Sequence, residues 1–131
     1  MSTVQIKRIY EPKNEADGFR ILVDRLWPRG LKREEANVDE WLKGVAPSTD
    51  LRKWFNHDPE KWEEFRQDYT FELRHCMSSV HDLVDRIKKH KTVTLLYAGN
   101  DEKYNHVIVL EKFINNLIQP NQTFRKESLI S

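Results

Sequence analysis

The chain has 131 residues, of which 38% are hydrophobic and 33% charged, and its formal net charge is +1. This length favours one domain with its own core, and the near-neutral charge argues against a dominant role in binding polyanions. A single cysteine, Cys76, excludes an internal disulfide and is typical of a reducing cytoplasm. The first ten residues lack the apolar run of a signal peptide or membrane anchor, so we expect a cytoplasmic protein with no membrane partner.

The charges are unevenly distributed along the chain. Residues 1–33 contain eight basic and four acidic residues, whereas residues 34–72 contain five basic and eleven acidic residues. The basic excess is compatible with a local anion site, and the acidic middle with a protein interface such as a homodimer. Solvated helix faces explain both patterns as well.

The first third of the chain predicts two strands separated by a loop. Residues 5–10 alternate apolar and polar side chains, which is typical of a strand with one exposed face. Residues 11–18 are rich in loop-forming residues, and residues 19–24 are more continuously apolar, as in a central strand.

The middle of the chain predicts four helices. Apolar residues recur at helical spacing, and Ser, Thr and Asp residues stand where N-caps are expected, including Ser48 or Thr49, Asp58, and Ser78 or Ser79. The predicted segments are 37–45, 46–55, 57–76 and 78–90.

The last third predicts a buried strand, a helix and a tail. Residues 92–98 are apolar and β-branched, and residues 105–118 are apolar around much of a helical circumference. Residues 119–131 are polar with little periodicity, so we predict an α/β domain over residues 1–118 followed by a tail or an arm that orders on a partner.

The order strand, helices, strand, helix predicts an α/β fold: a three-layer open sheet, mainly parallel, with helices on both faces, in a single small domain. Ligands of such sheets bind beyond the carboxyl ends of the strands. The segments "DRLWPRG" (residues 24–30) and "AGNDEKYNH" (residues 98–106) each follow an apolar strand. We therefore expect these two segments to face each other across a cleft.

Three segments carry a resemblance to a known family. The stretches "LVDRLWPRGL", "DEWLKGVAPSTDLRKWFNHDPEKWEEF" and "TLLYAGNDEKYNH" resemble the YeaO-like bacterial proteins, a family of unknown function, collinearly from Ile6 to Phe113. The family is similar to a broader superfamily of small α/β domains in which the position of Tyr97 is often cysteine and a Cys-His-Arg run opens the last helix. Here the latter reads Asn105-His106-Val107, so the resemblance implies the fold and the site but no thiol chemistry.

Arginine and tryptophan side chains are the candidate ligand groups after the second predicted strand. Arg25 and Arg29 carry guanidinium groups that bind phosphate or carboxylate through paired hydrogen bonds. Alternatively, Asp24 pairs with an arginine in a structural network that ties the loop to the sheet. Trp27 stands beside the predicted cleft and can stack on a base or sugar.

The candidate groups after the last predicted strand are polar and include a histidine. His106 opens the final helix and is the candidate general acid or base; alternatively, Asn105 is simply the N-cap and His106 a first-turn residue. Asn100 can orient the histidine or form a turn. Tyr97 either places its hydroxyl in the cleft or buries its ring.

No metal or cofactor site is predicted. His75, Cys76 and His81 form no recognisable ligand pattern, and the chain has no phosphate loop or dinucleotide fingerprint.

The sequence therefore predicts a cleft that binds a small anion, a phosphate or a carboxylate. If the cleft is catalytic, His106 is the residue that moves a proton. The alternative is a non-enzymatic regulatory or nucleic-acid-associated module that uses the basic N-terminal third and Arg125-Lys126. The predicted binding residues are Asp24, Arg25, Trp27 and Arg29 on one side and Tyr97, Asn100 and Asn105 on the other.

Overall fold

A four-stranded parallel sheet forms the centre of the molecule. The computed structural model describes residues 2–118, and its strands lie in the order β1-β4-β2-β3. Every strand pair in this part of the chain is parallel, as predicted for a mainly parallel sheet. The strands are β1 (Thr3–Arg8), β2 (Phe19–Leu22), β3 (Glu40–Trp41) and β4 (Thr92–Tyr97).

Five α-helices within residues 2–118 surround the sheet and confirm the small α/β domain. Short 3-10 turns at Glu15–Asp17, Lys43–Val45 and Pro59–Lys61 connect the elements. The helices are α1 (Arg33–Ala36), α2 (Thr49–Phe55), α3 (Trp62–Arg74), α4 (Met77–Lys88) and α5 (His106–Ile118). Residues 119–131, for which the sequence predicts a polar tail, lie outside the described residues.

The two faces of the sheet are covered differently. Along β4, Val93, Leu95 and Tyr97 belong to the main core, which they share with apolar residues of α2, α3, α4 and α5. Leu96 points to the opposite face, as alternation along a strand requires. There it joins a smaller core with α1 and the loop after β2, so helices cover both faces.

The prediction of a helix over residues 37–45 is wrong. The segment contains β3, which pairs with β2, followed by a 3-10 turn. Val38 and Trp41 pack in the smaller core, whereas Leu42 and Val45 pack in the main core. The helical spacing of these four residues thus reflects a short strand and its flanking residues, whose side chains go to both faces of the sheet.

The fourth predicted helix begins earlier than its serines indicate. Helix α4 starts at Met77, preceded by Cys76 with no capping side chain, so neither Ser78 nor Ser79 is its N-cap.

A buried ion pair holds the amino-terminal end of β2. Arg20 is 1% exposed, and its guanidinium contacts the Asp17 carboxylate as well as the carbonyls of Ala36 and Asn37. Lys7 of β1 also binds Asp17, at 3.1 Å. Burial raises the pKa of Asp17, but hydrogen bonds from the Asn14 backbone and from these two cations outweigh burial and lower it.

Replacing Asp17 with Asn leaves Arg20 buried without a carboxylate, and we expect the free energy of unfolding to fall by about 3–5 kcal/mol. Urea denaturation at pH 7 measures this change. Glu63→Gln is the matched control, because Glu63 also pairs with an arginine, Arg66, but is exposed, and its denaturation midpoint should not move.

The same pair has a defined pH dependence. Since the folded-state pKa of Asp17 is lowered, its contribution is present above pH of about 3.9, the unfolded value, and is lost as the pH falls through the folded value. A stability difference between wild type and Asp17→Asn that persists unchanged at pH 2 contradicts this assignment.

Candidate functional site

A cleft of about 560 Å³ lies at the carboxyl ends of β2 and β4. Residues from the two loops that follow these strands line its opposite sides, which is the arrangement expected of a parallel sheet. Most of the predicted site residues are brought together here: Asp24, Arg25, Trp27, Arg29, Tyr97, Asn105 and His106. Asn100 does not line the cleft.

Asp24 joins the two sides of the cleft. Its Oδ2 accepts a hydrogen bond from the Ala98 N–H at 3.0 Å, and its backbone carbonyl accepts one from Trp41 Nε1 at 2.7 Å. Its Oδ1 is buried and has no hydrogen-bond partner among residues 2–118. The predicted pairing of Asp24 with an arginine is therefore replaced by a bond to the backbone of the facing loop.

His106 lies against Asp24 at the start of α5. Its Nε2 is 3.0 Å from the Val23 carbonyl and 3.3 Å from Asp24 Oδ1. A carbonyl only accepts hydrogen bonds, so Nε2 carries the proton and, in the neutral ring, Nδ1 is the basic nitrogen. Burial lowers the pKa of His106 and Arg52 adds to this effect, while Asp24 and the Val23 carbonyl oppose it.

Arg25 stabilises the wall of the cleft, because two of its guanidinium nitrogens are already hydrogen-bonded to backbone carbonyls. Its Nε and one terminal nitrogen donate to the carbonyls of Pro47 and Ala46, each at 3.0 Å. This is a structural role of the kind considered from the sequence, but with backbone partners instead of Asp24.

Arg29 presents its side chain at the cleft mouth. The residue is exposed, and its backbone carbonyl accepts a hydrogen bond from the Tyr10 hydroxyl at 2.8 Å. Its guanidinium makes no hydrogen bond or ion pair to the part of the chain that the structure describes. The charge of Arg29 is therefore available to a ligand.

The two predicted aromatic residues are mostly committed to packing. Trp27 donates from Nε1 to the Leu31 carbonyl at 2.6 Å and contacts Trp41 edge to face, with ring centroids 5.4 Å apart. The Tyr97 ring is 4% exposed in the main core, and burial raises the pKa of its phenol. Both line the cleft, and the Trp27 ring also carries the Arg33 guanidinium, 4.8 Å from its centroid.

The loop after β4 is held by its own polar groups. Asn105 is a capping residue: its Oδ1 accepts the Val107 N–H at 2.9 Å, and its Nδ2 donates to the Asp101 carbonyl. Asn100 accepts a hydrogen bond from Arg8, the last residue of β1, and does not orient His106. Asn100 is thus part of the loop's attachment to β1.

Helix α2 supplies a third side of the cleft that the sequence reasoning missed. Thr49, Arg52, Lys53 and Asn56 all line the cavity, followed by His57. The first four are spaced three, one and three residues apart, which places them on one face of the helix. In the sequence, the only sign of this third side is a row of polar residues on the face of the helix away from Leu51. Such a row looks the same as any solvent-exposed helix face.

Contacts at its amino end fix the orientation of α2. The Ser48 N–H and hydroxyl both donate to the Glu72 carboxylate of α3, and Ser48 Oγ caps the helix by accepting the Leu51 N–H. The Tyr69 hydroxyl donates to the Val45 carbonyl just upstream. Together with the bonds from Arg25, these contacts place Arg52 and Lys53 toward the cleft.

The lining of the cleft is electropositive. Arg25, Arg29, Arg52 and Lys53 contribute positive charge, against the two carboxylates of Asp24 and Asp101. Backbone N–H groups of Lys103 and Tyr104 already bind Asp101 and lower the pKa of its carboxyl. A cavity with this excess of cations attracts anions.

Residues 2–118 contain neither a metal-binding cluster nor a membrane-spanning helix. No group of three or more His, Cys, Asp or Glu side chains there is arranged to hold a metal ion. None of the helices in this range has the length and apolar character needed to cross a membrane.

The histidine titration tests this geometry. We expect Asp24→Asn to lower the pKa of His106, because it removes the only opposing carboxylate named above, and Arg52→Gln to raise it, because it removes a like charge. Both values are measured by NMR from the imidazole Cε1 proton. Glu63→Gln is the control, because Glu63 pairs with Arg66 at an exposed position outside the cleft lining, and it should leave the pKa of His106 unchanged.

The stability of the protein should also depend on the protonation of His106. Because the folded-state pKa of His106 is lowered, the unfolded chain takes up this proton more readily, so stability falls as the pH drops below about 6.5. A His106→Gln variant with the same decrease between pH 7 and 5 contradicts the assignment to His106.

Comparisons with known proteins identify the family. The chain matches the inactive DUF488-N3 subclade over residues 3–129. It is 42% identical over 114 residues to the uncharacterized protein YeaO of Escherichia coli (strain K12), which covers 87% of this chain and 98% of that protein. It is 37% identical over 112 residues to the uncharacterized protein Rv3073c of Mycobacterium tuberculosis (strain ATCC 25618 / H37Rv), covering 86% and 93%.

No solved structure gives a significant match. The relatives confirm the resemblance noted in the sequence, since the match to YeaO extends over nearly all of that protein. The chain therefore belongs to the inactive DUF488-N3 subclade, a family of YeaO-like bacterial proteins of unknown function.

Proposed function

We propose that the cleft between the loops after β2 and β4 binds a small anion, a phosphate or a carboxylate. The observation that carries the proposal is a set of unengaged cations on the cleft lining. The side chains of Arg29, Arg52 and Lys53 make no hydrogen bond or ion pair to any residue between 2 and 118, and all three are exposed. Guanidinium groups bind carboxylate and phosphate through charge-assisted hydrogen bonds.

The proposal is for binding rather than turnover. The family is described as inactive, and the Nε2 of His106 already donates to the Val23 carbonyl. Asp24 and Arg25 act as the frame of the site in this proposal, because their polar atoms are mostly directed to backbone groups. Arg29, Arg52 and Lys53 are the groups that contact the anion.

The nucleic-acid alternative draws less support from the basic N-terminal third. Arg8 donates to the Gly99 carbonyl, Arg20 is buried, and Lys7 pairs with Asp17. A homodimer formed through the acidic helices, like the cytoplasmic location, stays a prediction. Arg125 and Lys126 lie outside the described residues.

Titration with inorganic phosphate, followed by backbone amide NMR at constant ionic strength in chloride, tests the proposal. We expect saturable shifts at the amides of Gly30 and Gly99, which flank the two sides of the cleft. Arg52→Gln should weaken binding by about tenfold, since a hydrogen bond to a charged group contributes about 1.5–3 kcal/mol. Arg29→Gln should have an effect in the same direction.

Lys88→Gln is the matched control, because Lys88 is an exposed cation on α4 that does not line the cleft. It should bind phosphate as the wild type does. Shifts that grow linearly without saturation, or an equal loss of affinity in all three variants, would show that the attraction is a general charge effect and that the cleft is not an anion site.

A further inference from the structure

We infer that the ligand of this cleft is a planar aromatic anion of about mononucleotide size, rather than a bare phosphate or carboxylate. The inference rests on the proposed anion site and extends it to the class of molecule that the site accepts. It follows from three features of the lining: its volume, its exposed apolar side chains and the placement of its cations.

The volume of the cleft exceeds what a single anionic group fills. A cavity of about 560 Å³ falls within the range of about 300–1,000 Å³ that is typical of sites for whole small molecules. An inorganic phosphate bound to Arg29 or Arg52 would leave most of this space to solvent. The cleft therefore has room for a molecular body attached to the anionic group.

Exposed apolar side chains show what kind of body fits. Tyr10 is 40% exposed and Leu26 is 63% exposed, and both line the cleft. They are two of the five large hydrophobic side chains exposed among residues 2–118, and the other three, Trp54, Phe71 and Leu117, lie elsewhere. Pockets for small molecules are lined largely by apolar and aromatic side chains, so these two residues fit a ligand with an apolar part.

The aromatic character of the lining favours a flat ring over an aliphatic chain. Tyr10 carries the Arg8 guanidinium on its ring, 4.8 Å from the centroid, and is anchored through its hydroxyl to the Arg29 carbonyl. Its ring is thus held in place at the cleft beside the free Arg29 side chain. Stacking of a ligand ring on a fixed aromatic side chain is favourable and tolerant of ring type.

The cations complete the description of the ligand. Arg52 and Lys53 approach the cleft from α2, whereas Tyr10, Leu26 and Arg29 belong to the loops after β1 and β2. A ligand that spans these elements needs an anionic group for the cations and a flat, apolar part for Tyr10 and Leu26. Aromatic phosphates, including mononucleotides, satisfy both requirements.

Four probes, each studied by isothermal titration calorimetry with the 131-residue chain, separate the contribution of the ring from that of the phosphate. AMP carries a ring and a phosphate, ribose 5-phosphate only the sugar and phosphate, adenosine only the ring and sugar, and octyl phosphate a phosphate on an aliphatic chain. We expect AMP to bind at least about tenfold more tightly than each of the other three, as expected when one base stacks on one aromatic side chain.

Variants of the apolar residues locate the preference. Tyr10→Leu and Leu26→Ser should each reduce the ratio of AMP to ribose 5-phosphate affinity severalfold. Tyr10→Phe keeps the ring but removes the bond that anchors it to the Arg29 carbonyl, so it should reduce the ratio less than Tyr10→Leu does. Leu117→Ser is the matched control, because Leu117 is 41% exposed on α5 and lies outside the cleft lining.

The outcomes distinguish the inference from the proposed function. Equal affinity for AMP and ribose 5-phosphate, both weakened by Arg52→Gln, overturns the aromatic preference and leaves the anion site in place. Octyl phosphate binding as tightly as AMP overturns the planar requirement. Adenosine binding as tightly as AMP, or no binding of any phosphate, overturns the anion site itself.

Discussion

The carboxylate of Asp24 is the contact on which the arrangement of the cleft depends. It binds the backbone of the loop after β4, its own carbonyl receives the Trp41 indole, and its second oxygen lies beside His106. One residue therefore joins the ends of two strands, the smaller core and the first turn of α5. Its buried Oδ1 makes no hydrogen bond within residues 2–118, so the carboxylate is hydrogen-bonded there through Oδ2.

The parts of the fold that were predictable follow from local rules. Parallel strands end at a common edge, so two apolar runs followed by polar loops were enough to place Asp24 near His106. The short strand β3 was not predictable in this way. The four apolar residues in and around it have helical spacing, and only the pairing of β3 with β2 sends Trp41 and Leu42 to opposite faces.

The parts of the site that were missed depend on contacts distant in sequence. The polar face of α2 reaches the cleft because Glu72 holds Ser48 and Arg25 holds the carbonyls before it, and no local pattern encodes those contacts. Asn100 was misplaced for a related reason, since its amide finds Arg8 at the end of β1. Trp27 likewise satisfies its indole N–H with Leu31 and leaves Tyr10 as the exposed ring.

The division between buried frame and exposed lining has a consequence for how such a protein diversifies. Tyr10, Leu26, Arg29, Arg52 and Lys53 are all exposed, and substitutions at such positions usually change stability little. The groups that hold the two loops together are mostly half-buried and directed to backbone atoms. Natural selection, or a laboratory library restricted to these five positions, can therefore change which ligand the cleft binds while the fold stays the same.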